Sequence, residues 1–209
     1  MKTTNSFLLT GGALLLALTW PASASAQPAS APITGEFIGQ TYSGLDWGYT
    51  RHTESAPSVL HRYGFVTSRP LLEAENIDAA FRYNYTRGTT LGPNGRQHDF
   101  DLAFTGYISR GSVKPFLEGR TGWAWAKAGA VSRNSFAYLV GGGLELLLAP
   151  QFSLTPFVNF RETPHFHERG WNGGVKAGFR LNRGWSSSVT VEFDDEHNTQ
   201  FSFGVQLRN

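Results

Sequence analysis

The chain of 209 residues contains no cysteine, and only 16% of its residues are charged. The absence of thiols excludes disulfides, thiol catalysis and zinc–thiolate sites. The charged fraction lies below the roughly 25% that is usual in soluble domains, and 18 Lys and Arg nearly balance 16 Asp and Glu. Balanced charge gives no strong field for nucleic acid, so no nucleic-acid partner is expected.

Long apolar runs are almost absent as well. The run FLLTGGALLLAL, residues 7–18, is shorter than the about 20 residues that a spanning helix needs. It follows Lys2 and precedes small residues at positions 24–26, an order that is typical of a secretory signal peptide. The sequence therefore predicts a signal peptide (1–26), a flexible leader (27–36) and a single domain (37–209).

What the chain does contain is alternation. In NIDAAFRYNYTRG, residues 76–88, Phe81, Tyr83 and Tyr85 alternate with Arg82 and other small or polar residues. A period of two is that of a β-strand. Nine further segments alternate in this way, each about long enough to cross a bilayer as a tilted strand of roughly 9 to 11 residues. The ten predicted strands cover residues 38–51, 58–68, 76–87, 98–109, 113–126, 135–148, 152–162, 171–181, 185–194 and 200–208.

The two faces of these strands differ in chemistry. On one face each strand places an aromatic residue near the same end, as in the girdle of rings at a membrane interface. The other face carries balanced charges, which we interpret as a polar ion-pair network filling a narrow lumen. The predicted girdle is Tyr49, Tyr63, Tyr85, Phe100, Trp125, Phe136, Phe160, Trp171, Phe193 and Phe201. The predicted lumen network is Asp78, Arg82, Asp99, Asp101, Glu118, Arg120, Glu145, Arg161, Lys176, Arg180, Glu192, Asp194 and Arg208.

The connections between strands also alternate. Tight turns at 110–112, 149–151 and 182–184 lie on one side, and longer polar segments at 88–97, 127–134 and 163–170 lie on the other. Short periplasmic turns and longer extracellular loops are typical of outer-membrane barrels. We predict an all-β fold, a single up-and-down antiparallel transmembrane β-barrel of ten strands, with eight as the alternative. A soluble lipocalin-like carrier with the aromatics inside is a further alternative.

Two longer stretches carry a resemblance to a known family. VKPFLEGRTGWAWA (113–126) and SFAYLVGGGLELLLAPQFSLTPFVNFRET (135–163) resemble strands of the opacity-like family of small outer-membrane β-barrel proteins, and SGLDWGYTR (43–51) resembles its opening strand. The resemblance implies a barrel in the bacterial outer membrane. It implies little about function, because the family includes adhesins, structural barrels and proteins of other roles. The hairpin at 185–209 exceeds the family's usual eight strands.

Chemistry-bearing residues gather in two predicted loops. His165, His167 and Glu168 lie in one loop, and Asp195 and His197 follow Asp194 in the other. Carboxylate and imidazole together can hold a divalent metal or activate water, so these five are weak candidate metal ligands, and solvated loop polarity is the favoured explanation. An outer-membrane hydrolase, either a protease or a lipid A-modifying enzyme using Ser202 and His197, is the enzymatic alternative.

The expected function is that of a small integral outer-membrane barrel with a structural or surface-interaction role. A wide porin is not expected, because an aqueous channel needs about 16 strands. Neither enzymatic activity nor a cofactor is expected, and the protein is expected to be a monomer in contact with membrane lipids. Lipopolysaccharide is a candidate partner for the basic loop residues Arg51, Arg87, Arg96, Lys127, Arg133 and Arg169, because guanidinium and ammonium groups pair with phosphate.

Overall fold

Ten antiparallel strands follow one another in chain order around a closed barrel, with β1 paired to both β2 and β10. The structure is a computed structural model and describes residues 37–52, 58–71, 76–88, 95–166 and 168–208. The predicted signal peptide and leader lie outside the described residues. The strands are β1 (Tyr42–His52), β2 (Ser58–Pro70), β3 (Ile77–Gly88), β4 (Arg96–Tyr107), β5 (Val113–Ala128), β6 (Val131–Ala149), β7 (Phe152–Thr163), β8 (Glu168–Arg180), β9 (Trp185–Asp194) and β10 (Thr199–Arg208).

This architecture confirms the all-β, up-and-down barrel and its ten strands. The period-two pattern locates the strands well because a closed barrel forces alternate side chains inward and outward along its strands. A short 3-10 helix, Pro164–Phe166, follows β7. In the described residues no helix has the length and apolar character that crossing a bilayer requires.

Rows of paired residues climb around the barrel. From Trp47 the pairings lead in one direction through the residues Tyr63, Tyr85, His98 and Trp125 to Asn134 of β6. In the other direction they lead through the residues Phe203, Val189, Ala177 and Leu154 to Leu146 of the same strand. The two paths meet β6 at different heights because the strands are tilted and staggered. Side chains at one height therefore come from successive rows.

The hairpin between β5 and β6 differs from the prediction of a loop over 127–134. Lys127 pairs with Ser132 and Ala128 pairs with Val131, so the strands continue to a two-residue turn. Gly129 in that turn has φ 58°, a left-handed conformation that glycine adopts without steric cost. Because of this extension, the two ends of the barrel differ less in loop length than the sequence predicts.

Glycines in the middle of β6 allow its neighbours to approach closely. A Cβ at Gly141 would lie 1.8 Å from Asn159 Oδ1, and one at Gly143 would lie 2.2 Å from the carbonyl oxygen of Pro156. Neither contact is possible for a real side chain. The three consecutive glycines at 141–143 thus serve strand packing.

Two ends of the barrel are distinguished below. The terminal end is where β1 begins and β10 ends, with Tyr42 paired to Arg208. The loop end is the opposite one, where Arg51 pairs with Thr199. The connections 71–76, 108–112, 150–151 and 181–184 lie at the terminal end, and the other connections lie at the loop end.

Candidate functional site

The outer surface of the barrel is a belt of apolar side chains. Leu117 is 74% exposed and Val140 is 60% exposed, although both lie in the middle of their strands. An apolar outside with a polar inside is the reverse of a soluble barrel and is the arrangement of outer-membrane barrels. Other exposed members of the belt are Leu102, Leu144, Val158, Val175 and Val189.

All ten predicted girdle residues lie on strand positions that face outward. Six of them are well exposed: Tyr63, Trp125, Phe136, Trp171, Phe193 and Phe201. The other four, Tyr49, Tyr85, Phe100 and Phe160, are half-buried. Neighbouring rings cover them, since Phe100 lies 5.3 Å from Trp125 and Phe160 lies 5.2 Å from Trp171, measured between ring centroids. A lipocalin-like carrier would hold these rings inside, so that alternative does not fit the structure.

Glu118 lies at the centre of the charged lumen. Its carboxylate is 3.3 Å from the guanidinium of Arg82 on β3 and is also paired with Arg120 two residues along β5. Thr105 donates a further hydrogen bond to it, at 3.3 Å. Only 10% of the Glu118 side chain is exposed. One carboxylate thus pairs with two arginines in a position where unpaired charges would be costly.

Two more ion pairs lie in the lumen towards the loop end. Arg161 is 3.5 Å from Asp99, and Arg62 is 3.6 Å from Asp46. Asp101 lines the same region with Arg120 and Arg161. Asp46 and Arg62 are not among the predicted lumen charges, although they occupy inward positions of the predicted first and second strands. The alternation that located the other lumen charges also marks these two.

The remaining predicted lumen residues make separate contacts. Asn172 donates to Glu192 at 3.0 Å, and Arg208 donates to the hydroxyl of Ser186 at 3.0 Å. Arg180 lies at the end of β8, where its guanidinium donates to the carbonyl oxygens of residues 182 and 183, both at 3.0 Å. Asp78, Glu145 and Lys176 surround a feature that the sequence did not predict.

That feature is the N-terminal turn, residues 37–39, which enters the lumen at the terminal end. The backbone N–H of Phe37 donates to Glu145 at 2.7 Å, and that of Gly39 donates to Asp78 at 2.6 Å. Lys114 donates to the carbonyl oxygen of Ile38 at 2.9 Å. Glu145 is only 2% exposed. These bonds replace ladder bonds, so β1 begins at Tyr42 and not at the predicted residue 38.

The ring of Phe37 fills the lumen beside two cations. It is 5% exposed, with Lys176 Nζ 3.9 Å and Arg208 Cζ 5.4 Å from its centroid, both cation–π distances. The absence of a side chain at Gly178 makes room for it, because a Cβ there would lie 2.2 Å from Phe37 Cε2. No local sequence signal predicts this turn, since its partner Glu145 is 108 residues away in the chain.

The space left in the lumen is small and polar. A cavity of about 300 Å³ lies next to the N-terminal turn, and a second of about 50 Å³ lies towards the loop end. The side chains that line both cavities, and so form the layer between them, are Arg62, Asn84, Arg120, Leu139 and Arg161. Ligand pockets for small molecules are mostly apolar, whereas this space suits water and small ions.

The candidate metal ligands of the predicted loop 163–170 do not share one element. His165 lies in the 3-10 helix, where its ring Nδ1 is 3.2 Å from the carbonyl oxygen of Asn134 and its backbone N–H donates to Ser135. Glu168 begins β8. His167 lies outside the described residues.

The other predicted loop with candidate ligands is the turn after β9, residues 194–198, which is built around Asp194. Its carboxylate accepts the backbone N–H groups of Glu196 at 3.0 Å and Asn198 at 2.8 Å. Asp195 accepts the N–H of Trp171 at 3.1 Å, and His197 has φ 63°. These contacts give both aspartates a role in holding the turn.

In the described residues, these side chains are not arranged to bind a metal ion or to catalyse hydrolysis. Across the described ranges, no three His, Asp or Glu side chains are grouped so that they could hold a metal ion. Ser202 lines the larger cavity and pairs with Gly48 and Thr190, whereas His197 is exposed in the turn.

Of the comparisons with known proteins, only the one with solved structures found proteins similar to this chain. No protein-family model and no curated protein matches the chain. Among similar structures is the KdgM porin in complex with disordered oligogalacturonate, with 10% identity, 78% of this chain and 98% of that chain covered, and a TM-score of 0.47. Neisserial surface protein A has 14% identity, 83% and 100% coverage, and a TM-score of 0.43. The N-terminal barrel domain of Pseudomonas aeruginosa OprF has 11% identity, 82% and 99% coverage, and a TM-score of 0.40.

Proposed function

We propose that this protein, a small outer-membrane β-barrel of the porin-like kind, has a structural or surface-interaction role. Few or no ions or solutes pass through its lumen. The observation that supports this most directly is the occupied lumen. The pairs of Glu118 with Arg82 and Arg120 project into its middle from β3 and β5, and the N-terminal turn fills its terminal end through Phe37. A solute would have to pass these charged side chains and displace the turn.

We take the terminal end as periplasmic and the loop end as extracellular. In outer-membrane barrels the strand number is even and the turns on the periplasmic side are short. The shortest turns do not distinguish the ends, since 150–151 at the terminal end and 129–130 at the loop end both have two residues, so the assignment follows the even strand number, which brings the start of β1 and the end of β10 to one end. The rim at the loop end, including the protruding β5–β6 hairpin, would then be the surface that meets other molecules.

Planar-bilayer recording of the purified full-length protein tests the closed lumen. Wild type is expected to show little or no stable conductance. Gly178→Ala places a Cβ 2.2 Å from Phe37 Cε2 and is expected to displace the ring and raise conductance. Gly119→Ala is the matched control, because a Cβ there meets nothing within 4 Å, and it is expected to behave as wild type.

Phe37→Ala removes the ring without adding an atom and gives a second route to the same result. It should raise conductance even if Gly178→Ala folds poorly. A large and reproducible wild-type pore would contradict the proposal. So would unchanged conductance in both the Gly178 and Phe37 variants.

A further inference from the structure

A row of basic residues crosses four neighbouring strands on the outward face, near the loop end. His61 of β2 pairs with Arg87 of β3, Arg87 pairs with Arg96 of β4, and Arg96 pairs with Lys127 of β5. We call these four residues the basic rung. Adjacent strands lie about 4.8 Å apart, so the rung extends over roughly 14 Å. Arg87, Arg96 and Lys127 are exposed.

No acidic side chain faces outward on the same four strands. The carboxylates of β3, β4 and β5 are Asp78, Asp99, Asp101 and Glu118, and all four occupy inward positions; β2 has none. Within the described part of the chain, none of the basic rung residues takes part in an ion pair. Like charges opposite one another across strands destabilise a sheet. The fold therefore maintains an unneutralised positive row at a cost in stability.

The opposite side of the barrel is built differently. There Glu162 of β7 pairs with Arg169 of β8 across the strands, and Tyr138 of β6 donates a hydrogen bond to Glu162. Arg169 also lies 5.4 Å from the centroid of Phe160. Charges on that side are matched, so the unmatched row on β2–β5 is not a general property of the rim.

A row of rings lies directly beneath the basic rung, two residues further into the membrane belt. This aromatic rung consists of Tyr63, Tyr85, His98 and Trp125, which pair with one another in the same order. Tyr63 stacks on Tyr85 with 6.4 Å between ring centroids, and Tyr85 lies 5.0 Å from His98. Amphipathic rings of this kind mark the level of lipid headgroups, and each basic residue lies two residues further towards the loop end than a ring of the aromatic rung, so the two rungs rise together into the headgroup region as the row climbs.

We propose that the basic rung and the aromatic rung together bind the phosphorylated headgroup of lipopolysaccharide from the outer leaflet. Guanidinium and ammonium groups form strong charge-assisted bonds with phosphate, and three or four of them in one row suit a headgroup with more than one phosphate. The aromatic rung offers its ring faces to the sugars and its edges to the acyl chains. The proposal rests on the loop end being extracellular, as assigned above, and does not depend on whether the lumen conducts.

The test measures binding of purified lipid A to the detergent-solubilised full-length protein by native mass spectrometry. The rung variant is Arg87→Gln, Arg96→Gln and Lys127→Gln combined. The matched control is Arg51→Gln, Arg133→Gln and Arg169→Gln, which removes the same charge from the same end of the barrel. The rung variant is expected to lose on the order of tenfold or more in affinity, because three charge-assisted bonds to phosphate are removed. The control should stay within about twofold of wild type, since its residues lie outside the row.

Dephosphorylated lipid A provides the second arm of the test. Wild type is expected to bind it at least about tenfold more weakly than the bisphosphorylated form, because the basic rung would lose its partners. Equal binding of the two lipids would overturn the proposal. It would also be overturned if both triple variants lost affinity equally, or if the rung variant kept it.

Discussion

Among individual residues, Glu118 joins three side chains of the lumen. Its carboxylate is shared by Arg82, Arg120 and Thr105, and its side chain is almost fully shielded from water. Breaking a buried charge pair leaves the surviving partner uncompensated, which costs more than the pair itself contributes. The residue is therefore expected to matter for stability more than any exposed charge on the rim.

Glu118→Gln is expected to lower the free energy of unfolding by about 3 to 5 kcal/mol, as measured by urea titration of the protein folded in lipid vesicles. The amide would leave Arg82 and Arg120 without the carboxylate that pairs with both of them. Glu196→Gln, in the exposed turn after β9, is the control and should change stability little. A Glu118→Gln variant as stable as the control would show that the lumen does not depend on this pair.

Arg96 is expected to have the opposite effect, because replacing it should stabilise the protein when no ligand is bound. It faces Arg87 on one side and Lys127 on the other, and like charges across strands repel. Arg96→Gln is expected to raise the free energy of unfolding by about 0.5 kcal/mol at low salt, with the gain shrinking at high salt as the charges are screened.

The control for Arg96 is Arg169→Gln, which removes a charge whose cross-strand partner is Glu162. No gain in stability is expected there. If Arg96→Gln were neutral at low salt while Arg169→Gln was also neutral, the basic rung would carry no repulsion, and the idea of a maintained cost would be wrong.

At the scale of strands, the assignment of faces can be tested on one inward and one outward position. Leu144 of β6 is exposed in the apolar belt, and Thr190 of β9 lines the larger cavity. Leu144→Arg is expected to cost roughly 2 to 4 kcal/mol, the usual penalty for a charge at the bilayer midplane. Thr190→Asn replaces one polar lumen group with another and should cost much less. Equal tolerance in vesicle unfolding experiments would contradict the assignment.

Strands were the part of the fold that the sequence predicts best. The predicted bounds of β7, β9 and β10 agree with the structure to within about one residue, because a strand that separates lipid from a polar lumen must alternate without interruption. The β5–β6 hairpin was predicted as a loop because Lys127, Ser132 and Arg133 are polar on both faces, as strands outside a membrane can be. Its extension depends on backbone pairing alone.

Contacts between distant parts of the chain were not predictable in the same way. Phe37 was assigned to the start of the domain, yet nothing near it in the sequence indicates that its N–H group meets Glu145 or that its ring meets Lys176. The basic residues Arg87, Arg96 and Lys127 were recognised individually. Only the register of β3, β4 and β5 shows that they form a row.

For the whole molecule, closure of the barrel predicts heat-modifiable migration. The protein extracted in cold detergent should run on a gel at a different apparent mass from the boiled protein. The reason is that all strand edges are paired, so there is no free edge at which detergent could begin to unfold the barrel. Protein denatured in urea and never returned to lipid is the control and should run as the boiled form. Identical migration of the unboiled and boiled samples would contradict a closed membrane barrel.

The seam between β1 and β10 has a consequence for biogenesis. On this side of β1, Tyr42 pairs with Arg208, and the ten pairs of the seam join the first strand to the last. Until β10 pairs with β1, every folding intermediate has two unpaired strand edges, and these can pair with strands of other chains. Contacts so distant in sequence also form slowly. We therefore expect that a chaperone covers those edges until the barrel closes. A mutation that disrupts β10 should make the whole chain prone to aggregation.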